Sequence, residues 1–174
     1  FFDPKNPTCP YLGDVDDVEL RLLTEEDVAK GVSEPRIVSP REAVAKGYVA
    51  NEWMAFYMAL SVKFLKSLGI PDEKQMFIAK LPHERAHYAQ MVYDQLVETK
   101  RFGWLEVSGH AYRTDYDLSR HAKYSGQDIS ATRQLPEARE VEEVRVSPNP
   151  ARIRQVYGEK YGLVLRALSG VDLA

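Results

Sequence analysis

The 174 residues, 44% hydrophobic and 28% charged, have the composition of one folded domain or of one domain and part of a second, which excludes wholesale disorder. A net charge of −3 argues against a protein that holds nucleic acid mainly by unspecific electrostatics, and no apolar run approaches the roughly 18 residues of a membrane-spanning helix. Cys9 is the only cysteine, so an internal disulfide and a thiolate metal cluster are both excluded, which suits a reducing compartment.

The chain opens Phe1-Phe2-Asp3-Pro4, with neither an initiator methionine nor a signal peptide, and reads as a piece of something longer. Residues 3–14, rich in proline, asparagine and glycine, predict a loop. Val18, Leu20 and Leu22 alternate with Glu19 and Arg21 as in a half-buried strand. Ser39-Pro40-Arg41-Glu42 is a helix start: serine caps, proline fits the first turn, Glu42 can close a capping box, and Gly47 ends the helix. Residues 51–68 predict the clearest helix. Trp53, Phe56, Tyr57, Leu60, Phe64 and Leu68 recur at helical spacing, Gly69 and Pro71 terminate it, and 12 of its 18 residues are apolar, which predicts burial on more than one side.

Residues 75–81 read as a strand. In residues 89–99 the spacing of Tyr88, Ala89, Val92, Tyr93, Leu96 and Val97 favours a helix, while the β-branched and aromatic content and the tight turn at 100–103 favour the first arm of a hairpin. Residues 104–111 predict a strand with Trp104 in the core. Thr114-Asp115-Tyr116-Asp117 then caps a helix that runs to about Tyr124 and closes at Gly126. Residues 141–146 suggest a weak charged strand. Asn149-Pro150 opens an amphipathic helix through Leu168, whose Arg152, Arg154, Lys160 and Arg166 outnumber Glu159 in a solvated basic face.

Two motifs carry chemistry. His83-Glu84-Arg85-Ala86-His87 fits HExxH, in which two histidines one helical turn apart hold Zn²⁺ and the glutamate acts as general base. Three features oppose a zinc hydrolase built on His83, Glu84 and His87: a cation at Arg85, Gln90 and Tyr93 where glycine and a third histidine would follow, and Pro82 directly before the motif. His87 and His121 read as hydrogen-bonded structural histidines, and Cys9 has no activating partner.

The second block is longer. Ala86-His87-Tyr88-Ala89, then Gly103-Trp104-Leu105-Glu106, then Arg113 and Tyr116-Asp117-Leu118 with His121, resembles glycyl-tRNA synthetases of the archaeal and eukaryotic type, in the same order. Asp3-Pro4, the region from Gly47 to Pro71 and residues 137–146 are similar to further parts of that family, so nearly the whole chain is covered. Departures stand at Met76 and Ile78, where arginines commonly flank the phenylalanine, and at Tyr112, where aspartate is usual. The resemblance implies an α+β fold: part of the antiparallel class II catalytic sheet with flanking helices, and a strand at 89–99 paired with 104–111. Residues 1–135 would lie between class II motifs 2 and 3, and residues 136–174 would begin a late insertion.

The resemblance also implies a cytoplasmic, homodimeric parent that activates glycine with ATP and Mg²⁺ and charges tRNA-Gly. Glu106 and Val107 would contact ATP, with Glu106 also a ligand of Mg²⁺; read without the resemblance, Glu106 is equally a solvent-facing strand residue. Arg113 either holds phosphate or pairs with Asp115 or Asp117. No catalytic residue is expected on the chain itself, because motifs 1, 2 and 3 would all lie outside it. The isolated segment is therefore expected to be inactive, and a noncatalytic synthetase-like binding paralogue is the alternative.

Overall fold

The computed structural model describes residues 7–132, 134, 137 and 147–169. The strand expected at 141–146 lies outside the described residues, as do residues 1–6. The chain divides into two compact units at residues 129 and 130.

The first unit is built on a five-stranded sheet: β1 (Leu20–Leu23), β2 (Arg36–Val38), β3 (Gln75–Ala79), β4 (Met91–Thr99) and β5 (Gly103–Tyr112), in the order β2-β1-β3-β4-β5. The expected all-antiparallel sheet is corrected here to a mixed one, because β1 and β3 pair in parallel, Leu22 opposite Phe77. A parallel return needs a long crossover. Between these strands the chain supplies one, with α1 (Glu25–Ala29), β2, α2 (Pro40–Ala45) and α3 (Glu52–Ser67).

Sequence reading passed over α1 and β2. Thr24 caps α1 in a reciprocal box with Asp27, a variant that takes aspartate where glutamate or glutamine is usual. The Asp27 carboxylate also receives both forks of Arg36, at 2.6 Å each. This guanidinium, first among several causes, holds the Asp27 carboxyl far below the usual carboxylate range. At α2, Ser39 caps through the Glu42 amide as expected, while the Glu42 side chain turns to Lys46 instead of closing a box. Residues 12–15, at the end of the loop expected over 3–14, form a 3-10 turn that buries Leu12 and Val15.

Helix α3 has the expected limits, with Asn51 as its cap, but it presents another face to the core. Met54, Ala55, Met58, Ala59, Val62 and Leu65 are buried, while Tyr57, Leu60, Phe64 and Leu68 stand exposed. The fully buried Ala55 and Ala59 let the helix lie close on the sheet, and the aromatic stripe is left outside. Tyr11 packs its ring against Trp53 and Phe56, which are half-buried against the edge of the core. The sheet face beneath α3 carries Leu20, Leu22, Phe77, Ala79 and Tyr93.

The stretch at 89–99 is a strand from Met91, so the helical spacing was misleading and the hairpin reading holds. Two-sided apolar content with Tyr93, Gln95 and Val97 buried on one face suits a sheet centre, and tertiary pairing overrides the four-residue period. Helix α4 (Tyr116–Ser125) closes at Gly126, whose φ of 68° is the left-handed conformation that glycine adopts freely.

In the second unit, the single helix expected over 149–168 is two: α5 (Pro150–Tyr157), capped by Asn149, and α6 (Tyr161–Ser169). Gly158, at φ 52° and ψ −123°, breaks the run, and Arg154 lies over the Tyr161 ring across the break at 5.3 Å. No helix among the described residues is long and apolar enough to cross a membrane.

Candidate functional site

The β4–β5 hairpin positions the residues singled out by sequence, and its register decides which way they face. Gln95 pairs with Ser108 but Leu96 pairs with Glu106, so Val107 is an extra residue, a β-bulge. Side chains alternate along a strand, and cross-strand partners share a face. Ser108 therefore lies with Gln95 on the α3 side. Without the bulge Glu106 and Trp104 would lie there too. The extra residue reverses the phase and sends Glu106 with Leu96, and Trp104 with Glu98, to the opposite face.

That opposite face is closed near β1 and β3, where Leu23 and Met76 are buried, and opens toward β5. Trp104 is 41% exposed, so its expected place in the core is corrected: the bulge turns it outward. Glu106 is exposed, and among the described residues no hydrogen bond or ion pair holds its carboxylate. Lys80, just beyond β3, reaches Asp94 of β4 at 2.6 Å. This hydrogen bond is the main cause that raises the Lys80 ammonium above its ordinary value; the charges of Glu106 and Glu84 add to it. Gly109 sits opposite Asp94, and a methyl group there would stand 3.8 Å from the Asp94 carboxylate.

The HExxH segment is a series of turns, not a helix. His83 and His87 thus do not share a helical face, which corrects the geometry a zinc hydrolase would require. His87 instead meets the Tyr116 hydroxyl at 3.0 Å through Nε2. Glu84 accepts the Leu81 amide at 2.9 Å, and Arg85 turns to Glu25 at 3.0 Å and to the Gln90 carbonyl. Among the described residues no three histidine, cysteine, aspartate or glutamate side chains gather into a metal shell.

Arg113 lies 4.0 Å from the centre of the Tyr88 ring and pairs with Asp117 at 3.2 Å. With His87, Tyr88 and Tyr116 in mutual ring contact, these residues tie the turns after β3 to the start of α4. His121 is exposed on α4, where its carbonyl accepts the Ser125 hydroxyl at 2.6 Å. Arg152, Arg154, Lys160 and Arg166 lie on the helical segments of the second unit.

Sequence reasoning found Glu106 but missed the Lys80–Asp94 pair and the bulge. Asp94 was visible as the one acid inside an otherwise uncharged run from Met91 to Val97. The bulge has no such signal, because it exists only in the register between two strands.

No family model matches the chain. Individual proteins do. The chain is 40% identical over 170 residues to the glycine–tRNA ligase of Aeropyrum pernix, 97% of its own length and 29% of the relative's. It is 40% identical over 153 residues to that of Pyrococcus horikoshii, covering 88% of the chain and 27% of the relative. To the Methanocaldococcus jannaschii ligase it is 35% identical over 153 residues, covering 25% of that protein. The chain therefore belongs, as a segment, to the glycine–tRNA ligase family, and it spans between a quarter and three-tenths of the length of these relatives.

Proposed function

We propose that the chain is part of the catalytic domain of a class II glycine–tRNA ligase, and that its open sheet face at β5 takes ATP. Residues 1–135 then belong to the core between motifs 2 and 3, and residues 136–174 begin an insertion. The whole enzyme activates glycine to glycyl-adenylate, charges tRNA-Gly, and works as a cytoplasmic homodimer.

The observation that carries this reading is the unpaired Glu106 carboxylate on the open part of the sheet face, where the neighbouring Lys80 is already bound to Asp94. A lone carboxylate fits Mg²⁺, which takes one or two protein carboxylates and completes its shell with water and substrate phosphates. The ion would offset charge on the phosphate oxygens as the α-phosphorus is attacked. Val107, as the bulged residue, has main-chain groups outside the regular ladder, and these suit hydrogen bonding to a nucleotide. For Arg113 the contacts with Asp117 and Tyr88 favour the structural role over the phosphate one.

Glycine-dependent ATP–pyrophosphate exchange tests the reading. In the full-length enzyme Glu106→Gln should lower exchange by roughly a hundredfold, the scale of one preorganised electrostatic contact, with folding unchanged. Wild-type exchange by this variant at limiting Mg²⁺ would make Glu106 a bystander. The isolated 174-residue chain should give no exchange, since it spans under a third of the relatives' length and, on this reading, the cationic residues that grip the triphosphate lie in motifs 2 and 3 outside it.

A further inference from the structure

A line of buried polar side chains runs across the sheet beneath α3, and its hydrogens all point one way. Ser108 Oγ donates to Gln95 Oε1 at 2.8 Å, Gln95 Nε2 to Gln75 Oε1 at 3.2 Å, and Gln75 Nε2 to the Ile70 carbonyl at 3.0 Å. At the other end Ser61 of α3 donates its hydroxyl to the Met58 carbonyl at 2.7 Å. His110 Nε2 lies 3.1 Å from Ser108 Oγ and 3.4 Å from Ser61 Oγ. Each serine hydroxyl has one hydrogen, and both are already committed, so Nε2 must carry the proton and donate to the two serines. The imidazole is half-buried, with Phe77 edge-on at 5.5 Å, and burial lowers its proton affinity. Gln75 and Gln95 are both buried, so each lost partner would leave a polar group without water to replace it.

This line crosses β5 at the residue that closes the bulge. Ser108 is the first residue after Val107 to return to regular pairing, and its partner Gln95 is the last of β4 before the register shifts. A register slip of one residue exchanges the two faces of a strand. Gln95 and Ser108 hold the phase by a side-chain bond as well as by the ladder, and His110 ties the same strand to α3.

We propose that Ser108, Gln95 and His110 are positioning residues that lock the Val107 bulge and thereby aim Glu106 at the ligand face. The inference rests on the ATP reading for its consequence in activity, but the locking itself does not. Removing the Ser108 hydroxyl takes away the donor to Gln95 Oε1 and one acceptor of the His110 N–H while leaving every ligand-facing residue chemically unchanged.

Four forms of the full-length enzyme test it: Ser108→Ala, Ser108→Thr, Glu106→Gln and the Ser108→Ala/Glu106→Gln double variant. Local hydrogen exchange over residues 105–110 and ATP–pyrophosphate exchange are measured for each. Ser108→Ala should speed amide exchange over 105–110 while leaving β3 protected, and should lower turnover about tenfold, the order expected when a reacting contact is slightly misplaced. Ser108→Thr, which keeps the hydroxyl, should restore both. In the double variant the Ser108 effect on turnover should vanish, because there is no carboxylate left to aim. Unchanged amide exchange in Ser108→Ala overturns the locking, and a Ser108→Ala loss that persists in full beside Glu106→Gln overturns the aiming. If Glu106→Gln alone keeps wild-type turnover, the ATP reading falls, and amide exchange still decides whether the bulge is locked.

Discussion

Beneath α3 the sheet buries Leu20, Leu22, Phe77 and Tyr93 almost completely, whereas across the same strands at β5 Trp104 and Glu106 stand in water. The two faces are made by the same backbone and differ in what completes them. Under α3 the chain supplies its own cover, with apolar side chains and a line of hydrogen bonds from Ser108 to the Ile70 carbonyl. On the other face cover is supplied only as far as Leu23 and Met76, and an aromatic ring and a free carboxylate remain. A large exposed ring and an unpaired charge on one strand add no stability to the chain, which is the physical ground for proposing a ligand on that face.

The largest effect that would break this comparison is on the closed face. Phe77→Ala removes a wholly buried ring at the sheet centre and should cost about 3–5 kcal/mol, read as a lower urea midpoint at constant slope. If the loss were no greater than for an exposed position, the packing under α3 would not be what holds the sheet.

Next in size is the edge of the same unit. Asp27→Asn removes the charge that accepts both Arg36 forks and the Thr24 groups, and should cost about 2 kcal/mol. The pH dependence has a definite sign. The folded carboxyl is held below its ordinary value of about 3.9, so its contribution is complete above that pH and is lost as the pH falls below it. Half-buried His110 shifts the same way, favouring the neutral ring, so its share is lost below its ordinary value of about 6.5. Unfolding midpoints followed from pH 7 down to 3 should fall more steeply for the wild type than for Asp27→Asn. Parallel curves would remove Asp27 from the account.

How much of this was legible beforehand follows from what a sequence records. Caps at Ser39, Asn51 and Asn149 are local, and their side chains reach the amides that local rules expect. The β4 strand was ambiguous because its apolar residues fit two periods, and only the hairpin partner decides between them. The direction of Glu106 was not readable at all. Its alternation with Ser108 implies a shared face, and the bulge that separates them is a property of two strands together. In α3 the spacing gave the helix correctly but favoured large aromatic residues for the core, where the close approach to the sheet selected Ala55 and Ala59.

That last error gives the finest test, within a single helix. Met58 is fully buried and Phe64, less than two turns further along, is 61% exposed. By hydrophobicity alone Phe64 should matter more, since it carries the larger apolar surface. By position it should matter little: most of its ring already meets water in the folded chain, so little transfer energy is lost when it is removed. Phenylalanine and serine have similar helix propensities, so Phe64→Ser isolates burial from helix formation. In the 174-residue chain this substitution should change stability by no more than about 0.5 kcal/mol, against about 2–5 kcal/mol for Met58→Ala. Both are read from urea unfolding of the same preparation. A Phe64→Ser loss equal to that of Met58→Ala would mean that the outer stripe of α3 is covered within the chain itself, and the assignment of its inner and outer faces would have to be reversed.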